Sequence, residues 1–188
     1  MNVDRILPFL LLLPFLSSCA DKYKIEGTSS VNSLDGKMLY LKSLNDSGEW
    51  VKVDSAEVVH GEFSMKGKID SVQMVTLYMD DESIMPIVLE DGKITVTISN
   101  TELKAVGTPL NTALYAFVDK RNELEESIGE LEQRETRMVL DGADLEEIHS
   151  QLMMEGDSLV KEMNQYVKNF ISTNYENVLG PSVFMMLC

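Results

Sequence analysis

Histidine, cysteine and positive charge are what this chain has least of. Its 188 residues include two histidines and two cysteines, and 16 lysines and arginines stand against 31 aspartates and glutamates, for a net charge of −15. So acidic a chain offers no basic surface to neutralise phosphates, which excludes nucleic acid as a partner. The same balance argues against electrostatic docking on anionic lipid headgroups. No Cys-x-x-Cys pair, no Gly-x-Ser-x-Gly, no phosphate-binding glycine loop and no His-Glu-x-x-His occurs. We therefore expect no catalytic residue, no cofactor and no metal. What is present is a hydrophobic content of 44% beside 25% charged residues, the composition of a folded chain.

The longest apolar run, Ile6 to Leu16, falls short of the roughly 20 residues that a membrane-spanning helix needs. It suits the apolar core of a secretory signal. The run closes on Leu16-Ser17-Ser18-Cys19, which resembles a bacterial lipobox, the site where signal peptidase cuts before a diacylglycerol-bearing cysteine. That resemblance implies cleavage between Ser18 and Cys19 and lipidation of Cys19. Residues 1–18 are then the signal and 19–22 a short tether, with the membrane reached through the N-terminal lipid. Two or three acyl chains anchor stably where one holds only marginally. With Cys19 committed to lipid, Cys188 is left alone and no intrachain disulfide is available.

From Tyr23 to Val106 the pattern is one of short strands and turn residues. Lys37–Ser43, Glu49–Val59, Glu62–Lys68, Gln73–Met79, Met85–Glu90 and Lys93–Ser99 carry the β-type segments. His60-Gly61 and Asp91-Gly92 read as hairpin turns, the glycines supplying positive φ. Seven or eight such strands, with no helix-length segment between them, predict an antiparallel β-sandwich or barrel-like domain over 23–106.

At Gly107 the period changes. Thr108 and Pro109 fit an N-cap and the first helical position. Leu110, Leu114, Phe117, Leu124, Ile128, Leu131 and Met138 then recur at helical spacing. Asp141-Gly142 stops that helix and Asp144 caps a second, with Leu145, Ile148, Leu152, Leu159, Met163, Tyr166 and Phe170 on one face. The pair predicts a long antiparallel helical hairpin over 107–174, so the fold class is α+β. Asn174 to Gly180 reads as a loop, and 175–188 as that loop plus the start of a truncated helix. Val183–Leu187 forms an apolar tail there.

Each reactive-looking group has a plainer reading. His60 lies at a turn, and His149, beside Glu146 and Glu147, lies on a solvated helix face. Asp80-Asp81-Glu82 lacks the alternating ligands and bend glycine of a calcium loop and reads as a strand connection. Glu123, Glu125, Glu126, Glu130, Glu132 and Glu135 make a soluble helix face. The twelve methionines fall mostly at apolar positions and read as core filler. Cys188 has no nearby basic residue or second cysteine to make it a redox site.

Trp50 to Asp70, Pro86 to Ile98 and Gly107 to Phe117 resemble a domain of unknown function found in Gram-negative envelope lipoproteins, where it usually precedes a thioredoxin-like domain. The helical pair and Asn169 to Leu187 resemble the connector ahead of that redox domain. The resemblance implies a lipoprotein anchored to the outer membrane. It also implies an accessory or interaction module of a thiol–disulfide oxidoreductase, working with an envelope protein partner. The chain ends where the thioredoxin fold would begin, so nothing catalytic transfers to any residue. A standalone, degenerate or truncated member is expected. The alternative from a different class is a lipoprotein that binds a ligand or an envelope polymer through a groove around Trp50 and Tyr78.

Overall fold

Among the described residues, alternation of inward apolar and outward polar side chains builds eight strands. The computed structural model describes residues 22–45, 47–142 and 144–187. Ser18, Cys19, the signal and nearly all of the tether, Cys188, and the side chains of Glu132, Leu145 and Glu147 lie outside the described residues. The strands are β1 (Lys22–Ser29), β2 (Met38–Leu44), β3 (Trp50–Glu57), β4 (Glu62–Lys68), β5 (Gln73–Met79), β6 (Glu82–Leu89), β7 (Gly92–Ile98) and β8 (Leu103–Val106). Three helices follow, α1 (Pro109–Leu140), α2 (Leu145–Thr173) and α3 (Leu179–Leu187).

The strands form two four-stranded sheets, ordered β4-β1-β7-β8 and β3-β2-β5-β6. Neither closes into a barrel. Their inward residues share one core, with Ile25, Ile94 and Val96 from the first sheet and Leu39, Leu41, Leu77 and Ile87 from the second all wholly buried. All the described strands and helices fall within residues 22–187, so this part of the chain supplies its own core.

Three expectations from the sequence need correction. The domain is not purely antiparallel, because β1 pairs with β7 in parallel (Tyr23 opposite Gly92, Ser29 opposite Ile98). The long excursion through β2–β6 provides the crossover that a parallel pair requires. Asp91-Gly92 is not a hairpin turn, since β6 lies in one sheet and β7 in the other. The Asp91 carboxylate instead accepts the Lys22 N–H at 2.8 Å, joining the turn to the start of β1. His60-Gly61 does turn tightly, with φ of 53° and 76°. It closes only the single bridge Val59–Glu62, because β3 and β4 leave it for different sheets.

Glycine meets aromatic twice across the β1–β4 ladder. Tyr23 lies opposite Gly67 and Phe63 opposite Gly27, and each ring occupies the space a Cβ would need. The Tyr23 hydroxyl also donates to the Asp54 carboxylate at 2.8 Å, linking β1 to the far sheet's edge strand β3.

α1 and α2 run antiparallel. Phe117 stacks on Phe170 and Tyr166 with ring centroids 4.3 and 5.5 Å apart, and Arg134 pairs with Glu155 further out. Asp144 accepts the Glu146 N–H at the start of α2. The segment Asn174–Gly180 is not wholly loop, because α3 already begins at Leu179. Leu179 is buried, and of the terminal apolar tail Val183 alone joins the core; Phe184, Met185, Met186 and Leu187 remain exposed.

Candidate functional site

The family-like segments Pro86–Ile98 and Gly107–Phe117 meet at the start of α1. β6 is the edge of its sheet, so its outer backbone groups need partners. Asn111, wholly buried, supplies them: its Oδ1 accepts the Val88 N–H at 2.9 Å and its Nδ2 donates to the Val88 carbonyl at 2.7 Å. One side-chain amide thus stands where a neighbouring strand would. One turn later, the Tyr115 hydroxyl donates to the Pro86 carbonyl at 2.9 Å. Burial, with Asp119 nearby, pushes its ionisation well above the usual tyrosine range.

Glu90 completes the junction. Its Oε1 accepts the N–H groups of Leu110 and Asn111 at 2.8 and 3.0 Å, where the first-turn amides of a helix have no internal partner and carry partial positive charge. Thr108 was expected to cap this helix. It makes no side-chain bond to the helix backbone and instead receives the Asn111 amide on its Oγ1 at 2.9 Å. The capping comes from a strand because the close contact of sheet and helix brings Glu90 there first. This constellation is structural: Glu90, Asn111 and Thr108 bond one another and the backbone, and only its Pro86–Tyr115 end borders a cavity, of about 420 Å³.

A groove with binding character lies on the outer face of the second sheet. Leu44, Trp50, Val72, Met74 and Thr76 form one wall and Val178, Ser182, Met185 and Met186 of the α3 region the other, enclosing about 470 Å³. Trp50 is 49% exposed and meets the Tyr78 ring edge-on at 5.5 Å. Lys42 Nζ stands 4.4 Å from the Tyr78 ring centre and Lys52 Nζ 5.9 Å from that of Tyr40. Of these side chains Trp50 alone lines the groove, where its half-exposed ring offers an apolar face. The groove is mostly apolar and contains no acid–base pair.

The remaining candidates stay apart. His60 sits at its turn, exposed, and His149 is exposed on α2 in a shallow hollow with Leu131, Glu135, Leu152 and Met153. Asp80 and Asp81 make the β5–β6 turn, with Asp80 at φ 52°. Glu123 and Glu125 pair with Lys120 and Arg121 on the same helix. Among the described residues no three of His, Cys, Asp and Glu gather where they could hold a metal ion. Trp50 and Tyr78 were named from sequence and are brought together. Glu90, Asn111 and Tyr115 were missed, and the one available signal was the unbroken apolar run of β6, which marks a strand buried on both faces.

Residues 23–114 match the family model described as a domain of unknown function, DUF4369. No curated protein matches the chain. The matched stretch ends inside α1, just past the Asn111 junction, so the helix start is part of the family's unit. Among the described residues there is no thioredoxin fold. Residues 23–114 belong to the domain family DUF4369, a family of Gram-negative lipoproteins in which this domain often precedes a thioredoxin-like one.

Proposed function

We propose that this chain is a non-catalytic, lipid-anchored lipoprotein of the Gram-negative envelope, held at the outer membrane by Cys19. In this reading it serves as an accessory module for thioredoxin-like thiol–disulfide oxidoreductases. The observation that supports it is the polarity of the molecule. β1 begins at Lys22, opposite Lys68 and beside Gly92, at one end of the sheets. α1 starts near that same end, at Glu90. It then runs alongside β8 and β6 to the other end, where Asp119 pairs with Lys104 and Asn122 borders the Ser99–Leu103 turn. α1 packs on α2 from Phe117 outward, and from Asn122 to Leu140 the hairpin extends past that turn by about 27 Å, at 1.5 Å per residue. An anchor at Cys19 would put the hairpin tip farthest from the membrane, where a partner can reach it.

Two measurements test this reading. Cys19→Ala should abolish labelling by radioactive palmitate; persistent labelling would place the anchor elsewhere. A photo-crosslinker at Leu140, an 80% exposed residue at the hairpin tip, should capture an envelope protein carrying a Cys-x-x-Cys site. Capture confined to proteins without such a site would remove the redox assignment.

A second reading, the binding of an envelope polymer or peptide, is favoured by the half-exposed Trp50 at the groove mouth. Trp50 is the chain's one tryptophan, so its fluorescence reports occupancy directly. Unchanged emission across a panel of envelope glycans and peptides would count against this alternative.

A further inference from the structure

The net charge of −15 is an average, and the fold does not distribute it evenly. On the outer face of the first sheet, Lys22 lies opposite Lys68, Lys24 opposite Lys66, and Lys24 again beside Lys93. Two antiparallel rungs and one parallel neighbour thus bring five lysines onto one face at one end. Period-two alternation does this: Lys22 and Lys24 flank the inward Tyr23, while Lys66 and Lys68 flank the inward Gly67. The acidic residues within two positions of them in sequence are Asp21, Glu26, Asp70 and Asp91. Glu26 is already shared between Lys24 and Lys93, each at 2.5 Å, and its pKa is drawn down to about 2 by hydrogen bonds to those two lysines. The Asp91 carboxylate accepts the Lys22 backbone N–H. Among the described residues, Lys22, Lys66 and Lys68 form no ion pair. The glutamate-rich helix surface extends from the opposite end, beyond a Debye length of about 8 Å at physiological salt.

We propose that this five-lysine face docks on anionic phospholipid headgroups and sets the orientation of the anchored domain at the bilayer surface. The proposal rests on the reading of Cys19 as the lipidated residue. Three residue steps separate Cys19 from Lys22, a reach of about 10 Å at full extension. An anchor so close holds the Lys22 end of the sheets against the headgroups. The end forced onto the membrane is then the one where cations cluster. This selects a lipid surface over an acidic protein as the occupant. It also revises the expectation from net charge, because repulsion from the distant helices is screened at separations where the lysines touch.

The test uses residues 19–188 with Cys188→Ser, coupled through Cys19 to a maleimide lipid in vesicles of phosphatidylcholine alone or mixed equally with phosphatidylglycerol. Lysine acetylation is then followed residue by residue by mass spectrometry. On the anionic vesicles Lys22, Lys66 and Lys68 should react at least about five-fold more slowly, the factor that corresponds to the approximate contribution of one lysine near such a surface. Lys161 and Lys168 of α2 should be unaffected, and 0.5 M salt should remove the difference. The exposed pair Lys66→Glu and Lys68→Glu should restore the reactivity of Lys22. Equal rates on both vesicle types, or equal protection of the α2 lysines, would overturn the proposal. Because the coupling is chemical, this outcome is independent of palmitate labelling, which tests the anchor alone.

Discussion

Replacing Asn111 by alanine removes the one side chain that satisfies both backbone groups of Val88. Asn111 and Val88 are each wholly buried, so no solvent reaches the donor and acceptor left behind. A buried polar group that loses its partner costs about 1–3 kcal/mol. Two such groups on Val88, with partial relaxation, give about 3–5 kcal/mol for Asn111→Ala. That is a large share of the ~5–15 kcal/mol that holds a typical domain together, and should lower Tm by about 6–20 °C at roughly 2–4 °C per kcal/mol. Urea unfolding should be followed by Trp50 fluorescence for the sheets and by circular dichroism at 222 nm for the helices. Because Asn111 couples the two, both signals should shift together. Asn111→Asp adds a sign. It keeps an acceptor for the Val88 N–H but places a second carboxylate beside Glu90, whose Oε1 lies 3.4 Å from the Asn111 amide nitrogen. Burial and the neighbouring Glu90 raise the pKa of the new carboxyl, so its penalty should shrink as pH falls toward the unfolded carboxylate value of about 4 and change little below it. A loss under 1 kcal/mol for Asn111→Ala, or a helical transition that moves while the Trp50 transition stays, would refute the account of this junction.

Two further outcomes follow from the core. Gly27→Ala would set a Cβ 2.0 Å from Cζ of Phe63, so the ring must leave its place; a destabilisation of about 2 kcal/mol or more is expected, with partial rescue by Phe63→Leu, both read from urea midpoints. Tyr23 and Tyr115 should ionise last in an alkaline titration followed at 295 nm. The pKa of Tyr23 is raised by burial first and then by Asp54, that of Tyr115 by burial and Asp119. A raised folded-state pKa means a contribution that is complete below the unfolded value near 10 and is lost as pH climbs above it. Alkaline unfolding should accompany their ionisation, and early ionisation in the intact fold would contradict their burial.

The elements themselves were legible because their signals are local. The Gln73–Met79 segment coincides with β5 and Glu62–Lys68 with β4, since alternation and bounding turn residues suffice to define a strand. Asp141-Gly142 ends α1 as read, and Asp144 caps α2. Pairing was not legible. An Asp-Gly dipeptide is compatible with a hairpin, yet Asp91-Gly92 joins two sheets because β7 finds its partner in β1, far away in sequence. The Glu90–Asn111–Tyr115 junction was invisible for the same reason: each residue is ordinary alone, and only a helix laid along a strand edge makes it necessary.

Sequence alone raised the expectation of an envelope anchor, through Leu16-Ser17-Ser18-Cys19, and determined that strands precede helices. It also carried a net charge that pointed away from anionic surfaces. Tertiary structure decided the rest. It turned Asn111 into a substitute strand, drew Trp50 against Tyr78, and collected Lys22, Lys24, Lys66, Lys68 and Lys93 onto one face. Hydrophobic period is a property of neighbours along the chain. Charge at a surface depends on which strands lie side by side, and that is fixed only when the sheets form.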